Sequence, residues 1–183
     1  MITIRSAVNK DYKPIAALHA KSWQQNYRGT FSDYFLDKEV LSDRLTVWEA
    51  RLTNPKESQF VYVAEIEDTF VAFVCGYLDE DSEYGTLIDN LHVNSKFIGQ
   101  RIGEKLMVGA ARLLEEKNKT SMYLWVLTSN TKAINFYERL GGIPVETVND
   151  FEIGDREVTK TRYYWPSLNL ILGLHNKKKT NER

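Results

Sequence analysis

The sequence predicts an α/β fold: a mixed, largely antiparallel sheet of about seven strands with about four helices over its faces. Three observations lead there. Seven stretches carry strand patterning, four carry apolar residues at helical spacing, and the connections include both hairpin turns and a strand, glycine loop, helix unit.

Residues 2–5, Ile-Thr-Ile-Arg, alternate apolar and polar, and Asp11 is placed to cap a helix running to about residue 27. In residues 38–53, Val40, Leu41, Leu45, Trp48 and Leu52 recur at helical spacing until Asn54-Pro55, because proline rejects a preceding helical residue. Residues 59–66 and 70–78 are β-rich and are joined by the turn-forming pair Glu67-Asp68, a hairpin signature. The acidic stretch 79–83 with Gly85 makes the next turn, and residues 86–93 form a further strand. After a loop containing Gly99 and Gly103, Ile102, Leu106, Ala110, Leu113 and Leu114 mark a third helix. Residues 121–127 alternate as a strand, and 130–140 form a helix closed by Gly141-Gly142 as a left-handed cap. Strands at about 145–153 and 156–164 then make a terminal hairpin around Gly154-Asp155.

A chain of 183 residues suits one compact domain, expected over 1–166, with a polar, basic tail over 167–183 that is fully solvated from 176 onward. Hydrophobic residues at 43% and charged residues at 27% exclude disordered and collagenous classes. With 24 Lys plus Arg against 25 Asp plus Glu there is no electrostatic reason to expect nucleic acid as a partner. The single cysteine, Cys75, sits in an apolar run and cannot form an intramolecular disulfide, which fits a reducing compartment. The first residues show neither a signal peptide nor a spanning helix, so a cytoplasmic location without a membrane partner is expected.

The chemistry is expected in the loop 94–103. It joins a strand to a helix, so its backbone N–H groups and the positive end of the helix can hold an anionic group such as a diphosphate. Glycines at 99 and 103 let the main chain approach a ligand. Gly103-Glu104-Lys105 is not the Gly-Lys-Ser/Thr of a P-loop, and the three-glycine Rossmann spacing is missing as well. An isolated pair of glycines is equally compatible with a tight turn that binds nothing.

A second unit follows: Asn130-x-x-Ala133-x-x-Phe136-Tyr137-x-x-x-Gly141. Together with the order of elements over about 2–164, it resembles the GNAT superfamily of N-acetyltransferases. In that family the first unit reads Gln/Arg-x-x-Gly-x-Gly/Ala. It falls here on Ile98-Gly99-Gln100-Arg101-Ile102-Gly103, with Gly103 matching and Ile98 and Arg101 departing. A positive φ at Arg101 would cost roughly 1–2 kcal/mol, while its guanidinium has the chemistry to reach a phosphate.

The resemblance implies acetyl-CoA as cosubstrate and no metal. It implies that the backbone of Leu91, His92 and Val93 bonds the pantetheine arm like an added strand. The amides from Ile98 through Gly103 would cradle the diphosphate, with Glu104, Asn130 and Phe136 completing the coenzyme site. It further implies direct attack of a primary amine on the thioester, with Tyr137 as the acid that protonates the departing thiolate. Asp89 is the first candidate for the base, partly buried in phase with Leu87, Leu91 and Val93, or else it caps a bulge or pairs with a nearby cation. Asn90 and His92, on the opposite face, are the alternative, orienting a water.

Trp23, Tyr27 and Tyr34 lie on the side that usually receives the acceptor in this family, where they either cage a cationic amine or are plain core. Cys75 has no visible neighbour to lower its pKa, and His19 and His175 lack metal-ligand spacing. The expected partners are a small-molecule or peptide amine acceptor and, at most, a second copy in a homodimer. Two rivals keep parts of this picture: a non-catalytic acyl-CoA sensor and a protein N-terminal acetyltransferase.

Overall fold

The computed structural model describes residues 1–151 and 154–173. Seven strands form one sheet in the order β1-β2-β3-β4-β5-β7-β6. They are β1 (Ile2–Ser6), β2 (Gln59–Ile66), β3 (Thr69–Asp81), β4 (Gly85–Val93), β5 (Met122–Leu127), β6 (Ile143–Asp150) and β7 (Val158–Trp165). Every neighbouring pair is antiparallel except β4 with β5, which run parallel. Among the described residues the four long helices are α1 (Tyr12–Asn26), α2 (Val40–Thr53), α3 (Ile102–Glu116) and α4 (Thr131–Arg139).

The helices divide between the two faces of the sheet. α3 packs Leu106, Met107, Ala110 and Leu114 against Val74, Ile88, Leu124 and Trp165, with Tyr137 of α4 in the same cluster. On the other face Ile15 and Leu18 of α1 and Trp48 of α2 meet Val61, Val63, Phe73 and Cys75. A strand buried on both faces has no need to alternate, and β3 accordingly reads as the unbroken apolar run Phe70 to Leu78.

Local chemistry explains the boundaries. α4 starts where the Asn130 side chain accepts the Ala133 N–H at 3.1 Å. It ends in the expected left-handed cap: Gly141 has φ +82°, its N–H donates to the Glu138 carbonyl, and Gly142 N–H donates to that of Tyr137. The β2–β3 turn places Glu67 and Asp68 at φ +49° and +59°.

Three expectations are corrected. Asp11 ends a short helical turn instead of capping α1: its carboxylate accepts the Val8 N–H at 2.7 Å and pairs with Arg5 at 2.7 Å. The acidic stretch 79–83 is not all turn, because β3 runs on through Asp81, with Asp79 at φ +50°. Past residue 166 the chain still contributes to the core, since Leu168 and Ile171 are buried in the cluster on the α3 face. The end of the expected strand at 153 and the tail beyond 173, including His175, lie outside the described residues.

Candidate active site

β4 and β5 pair only at Thr86 with Met122 and Leu87 with Tyr123. Beyond these two rungs the strands diverge, and a cleft of about 1380 Å³ opens between them. The edge of β4 from Ile88 to Val93 therefore faces the cleft with no sheet partner on that side. Of the residues expected to hold coenzyme or perform catalysis, all but Gln100 line this cleft; Tyr34, at 67% exposure, also lies off its walls.

At one end stands the 94–103 loop. Gly99 has φ +89° and Arg101 φ +57°, so two left-handed residues turn the chain into α3. The Arg101 conformation is the strained one anticipated from its place in the loop. The first amides of α3, at Ile102 and Gly103, lack acceptors within the helix, and Arg101, Lys132 and Arg139 also line the cleft. A diphosphate suits this charge and donor set.

The two glycines have different surroundings within the protein. A Cβ at Gly103 would meet Phe136 at 3.3 Å, so this glycine admits a side chain of α4, whereas nothing lies within 4 Å of a Cβ at Gly99. Within the protein, the φ of Gly99 is what favours glycine there. Gly99→Ala is expected to cost about 1–2 kcal/mol in denaturant titrations and to weaken coenzyme A binding in calorimetry, with no steric clash to confuse the result.

Tyr137 is buried in the cleft wall, and burial, aided by the nearby Tyr27 phenol, pushes its hydroxyl well above the usual value of 10. Tyr27 is itself raised by burial, and its hydroxyl lies 3.5 Å from Asn130 Nδ2.

β4 carries a bulge. Gly76 of β3 faces Ile88 and Cys75 faces Asn90, leaving Asp89 as the extra residue. The alternation flips there: Leu87 packs toward α1 and α2 and Ile88 toward α3, but Leu91 and Val93 pack toward α3. Asp89 is thus out of phase with Leu91 and Val93, contrary to the sequence reading. It lies beside Asn90, and Arg51 donates to both, at 2.7 Å and 3.0 Å. The alternative reading, pairing with a cation at a bulge, is the observed one.

After the bulge His92 turns toward α1. Its Nδ1 shares a hydrogen bond with Ser22 Oγ at 2.9 Å, and its ring stacks on His19 with centroids 4.4 Å apart. Burial and then the charge of Arg44 push His92 down to about 3. His19, which accepts from Trp48 Nε1 at 3.0 Å, is also held well below 6.5, first by burial and then by His92, Arg44 and Arg51.

Both histidines are neutral in the fold, and the sign of the consequence follows. Between the ordinary value of 6.5 and about 3, the unfolded chain binds a proton that folded His92 refuses. Stability is therefore full above that window and falls as pH drops through it, by up to about 1.4 kcal/mol per pH unit for each such group. Asp11, lowered by its bond to Arg5, adds to the loss only below its ordinary 3.8. Denaturation midpoints at about pH 7.5, 6 and 5 should decline in the wild type and decline less in His92→Asn.

Sequence reasoning missed Arg44 and Arg51. They are seven apart on α2, two turns, and so share a face, a spacing visible in the sequence that carried no motif. Arg44 lies over the Trp23 ring at 4.7 Å and Arg51 over Trp48 at 5.2 Å. Of the two readings offered for Trp23, cage or core, its burial fits core, although it and Tyr27 both line the cleft, and the cation over its ring is the protein's own Arg44.

Comparison with known proteins gives this frame its class, an acetyl-CoA-dependent acyltransferase. Residues 16–142 match the model of the acetyltransferase (GNAT) family, and the chain belongs to that family. It is 25% identical over 180 residues to the uncharacterized N-acetyltransferase YuaI of Bacillus subtilis, covering 97% of this chain and 100% of that one. It is 28% identical over 159 residues to the probable N-acetyltransferase Rv2775 of Mycobacterium tuberculosis, covering 86% and 84%. Among solved structures, the PaiA N-acetyltransferase of Thermoplasma acidophilum in complex with coenzyme A superposes with TM-score 0.69 at 16% identity, over 90% of this chain and 99% of that chain. YncA of Salmonella typhimurium with acetyl-CoA gives TM-score 0.64 at 19% identity, over 92% and 94%. At those identities the structural likeness is one of fold. Among the described residues no helix is long and apolar enough to cross a membrane.

Proposed function

We propose that the protein transfers the acetyl group of acetyl-CoA to a primary amine by direct attack in a ternary complex. The observation that carries the reading is the divergence of β4 from β5 after two rungs, with the 94–103 loop at one end of the opening and Tyr137 in its wall. The resemblance to proteins crystallised with coenzyme A and acetyl-CoA supports the same ligand here.

Acetyl-CoA supplies a thioester carbonyl for attack and a thiol leaving group. In the proposal the β4 edge from Leu91 to Val93 pairs with the pantetheine arm as an added strand, and the α3 N-terminus with Gly99 and Arg101 holds the diphosphate. Tyr137 delivers the proton to the leaving sulfur. Asp89, bonded to Arg51, serves to position the acceptor wall, and His92, down at about 3, is no base near neutrality. The proton of the amine is therefore assigned to solvent at the polar end of the cleft, near Ser22 and Asn90.

Two experiments test this. Calorimetry with coenzyme A and acetyl-CoA should show binding, and thiol release should depend on an added amine; binding with no turnover across amines and peptides would instead support the acyl-CoA sensor. The rate should climb with pH toward the pKa of the acceptor amine and shift when acceptors of different pKa are compared. A plateau at one pH for every acceptor would assign the base to a protein side chain instead.

A further inference from the structure

The acceptor end of the cleft carries a charge pattern of its own. α2 presents Arg44, Val47 and Arg51 to it, spaced three and four residues apart and hence on one helix face. Both guanidinium groups lie over tryptophan rings, at 4.7 Å and 5.2 Å, which helps to fix their position.

The two arginines are answered differently. Arg51 meets Asp89 across the cleft wall at 2.7 Å, and Asn90 accepts from it as well. Arg44, at 16% exposure the more buried of the two, is met by Asp43, its own chain neighbour, which at 40% exposure lies toward solvent. Nε and a terminal nitrogen of Arg44 share one oxygen of that carboxylate, at 2.7 Å and 2.6 Å. A guanidinium has five N–H donors, so this contact leaves donor capacity over.

The other titratable groups around Arg44 do not supply an anion. His19 and His92, whose values its charge helps to depress, are neutral. Asp89 is taken by Arg51, and Glu80, farther along the lining, pairs with Lys56 at 3.9 Å. A largely buried cation on a cleft wall, with an exposed neighbour as its carboxylate, is suited to a ligand that brings its own.

The geometry points to an acceptor that carries a carboxylate beside its amine, an amino acid rather than a polyamine, with Arg44 as the residue that binds the carboxylate and sets specificity. This rests on the acetyl-transfer reading above and narrows its acceptor.

The test uses matched pairs: phenylalanine with phenethylamine, histidine with histamine, lysine with cadaverine, within a panel of all the common amino acids. Thiol release from acetyl-CoA should favour a carboxylate-bearing member over its decarboxylated partner by about 10- to 100-fold in kcat/KM, the range of one charge-assisted hydrogen-bonded contact. In Arg44→Gln that advantage should collapse through KM, with the decarboxylated partner within about threefold of wild type. Arg44→Lys should recover part of it, charge without the planar fork. Independently of turnover, the preferred amino acid should raise the melting temperature of the protein in the presence of coenzyme A, and its amine should not.

Should Arg44→Gln fail to fold, the wild-type comparison still decides. Preference for the decarboxylated member, equal use of both, or coenzyme binding with no amino acid accepted would each overturn the proposal. An absence of coenzyme A binding would be a different failure, that of the acetyl-transfer reading itself.

Discussion

Tyr137→Phe is expected to lower kcat about 100-fold while leaving coenzyme A affinity within about threefold of wild type. The phenol is buried, and burial raises it well above 10, so it is protonated at any working pH and always ready to donate. A raised donor is a poorer acid, and in water the gap to a thiolate would be large. In the proposed mechanism the cleft narrows that gap, because a thiolate held in the same low dielectric would also be destabilised. Cys75, buried in this protein, illustrates the size of the effect: burial first, then Asp89, pushes its thiol from 9.0 up to about 12. Two groups raised together would be nearer to balance than a raised phenol facing a solvated thiolate. Removing the hydroxyl leaves the ring contacts with Phe136 and Trp165, at 5.3 Å and 6.1 Å, so the wall keeps its shape. Steady-state kinetics beside calorimetry read the two quantities separately, and an unchanged kcat would remove Tyr137 from the proposed chemistry.

Gly76→Ala should be among the most damaging single-methyl additions, costing about 3 kcal/mol or more in urea denaturation. A Cβ there would stand 2.5 Å from Phe60 Cζ and 2.6 Å from the carbonyl oxygen of Leu87. The ring can swing, but the oxygen is backbone, in the strand whose bulge begins one residue later. The added methyl therefore pushes on β3 and β4 at the point where the cleft starts to open. Gly109→Ala is the control. It lies within α3 with nothing within 4 Å of its Cβ, so the same change should stabilise the protein by about 0.5–1 kcal/mol. If both variants lose stability equally, steric closeness at Gly76 is not the cause.

The fold was legible because its strands and helices obey local rules. The 59–66 and 70–78 hairpin, the α4 cap at Gly141 and the glycine loop before α3 each follow from residues close together in the chain. Of the cleft lining, a motif names Tyr137, Asn130 and the 98–103 segment, of which only Gln100 lies off the walls. Asp89 shows the limit. Its place in β4 was right, but its phase with Leu91 and Val93 was not, because a bulge is a property of two strands, here falling opposite Cys75 and Gly76 of the neighbour. Arg44 and Arg51 were invisible for a similar reason. Nothing in α2 says that its arginine face will meet β4, since that depends on how the helix lies across the sheet. Leu168 and Ile171 escaped notice as isolated apolar residues leading into a polar segment, yet the core reaches out to them.

The irregularity at Asp89 makes the pairing of β4 as consequential as its composition. Deleting Asp89 would leave every later side chain on its present face, since Ile88 and Asn90 already oppose consecutive residues of β3; keeping it while ironing out the bulge would rotate the rest of the strand by half a turn. Imidazole 92 would then be driven into the oily layer under α3, while Leu91 and Val93 would surface among the serine and arginines of the opposite wall. In this strand the spare residue works as a phase shifter.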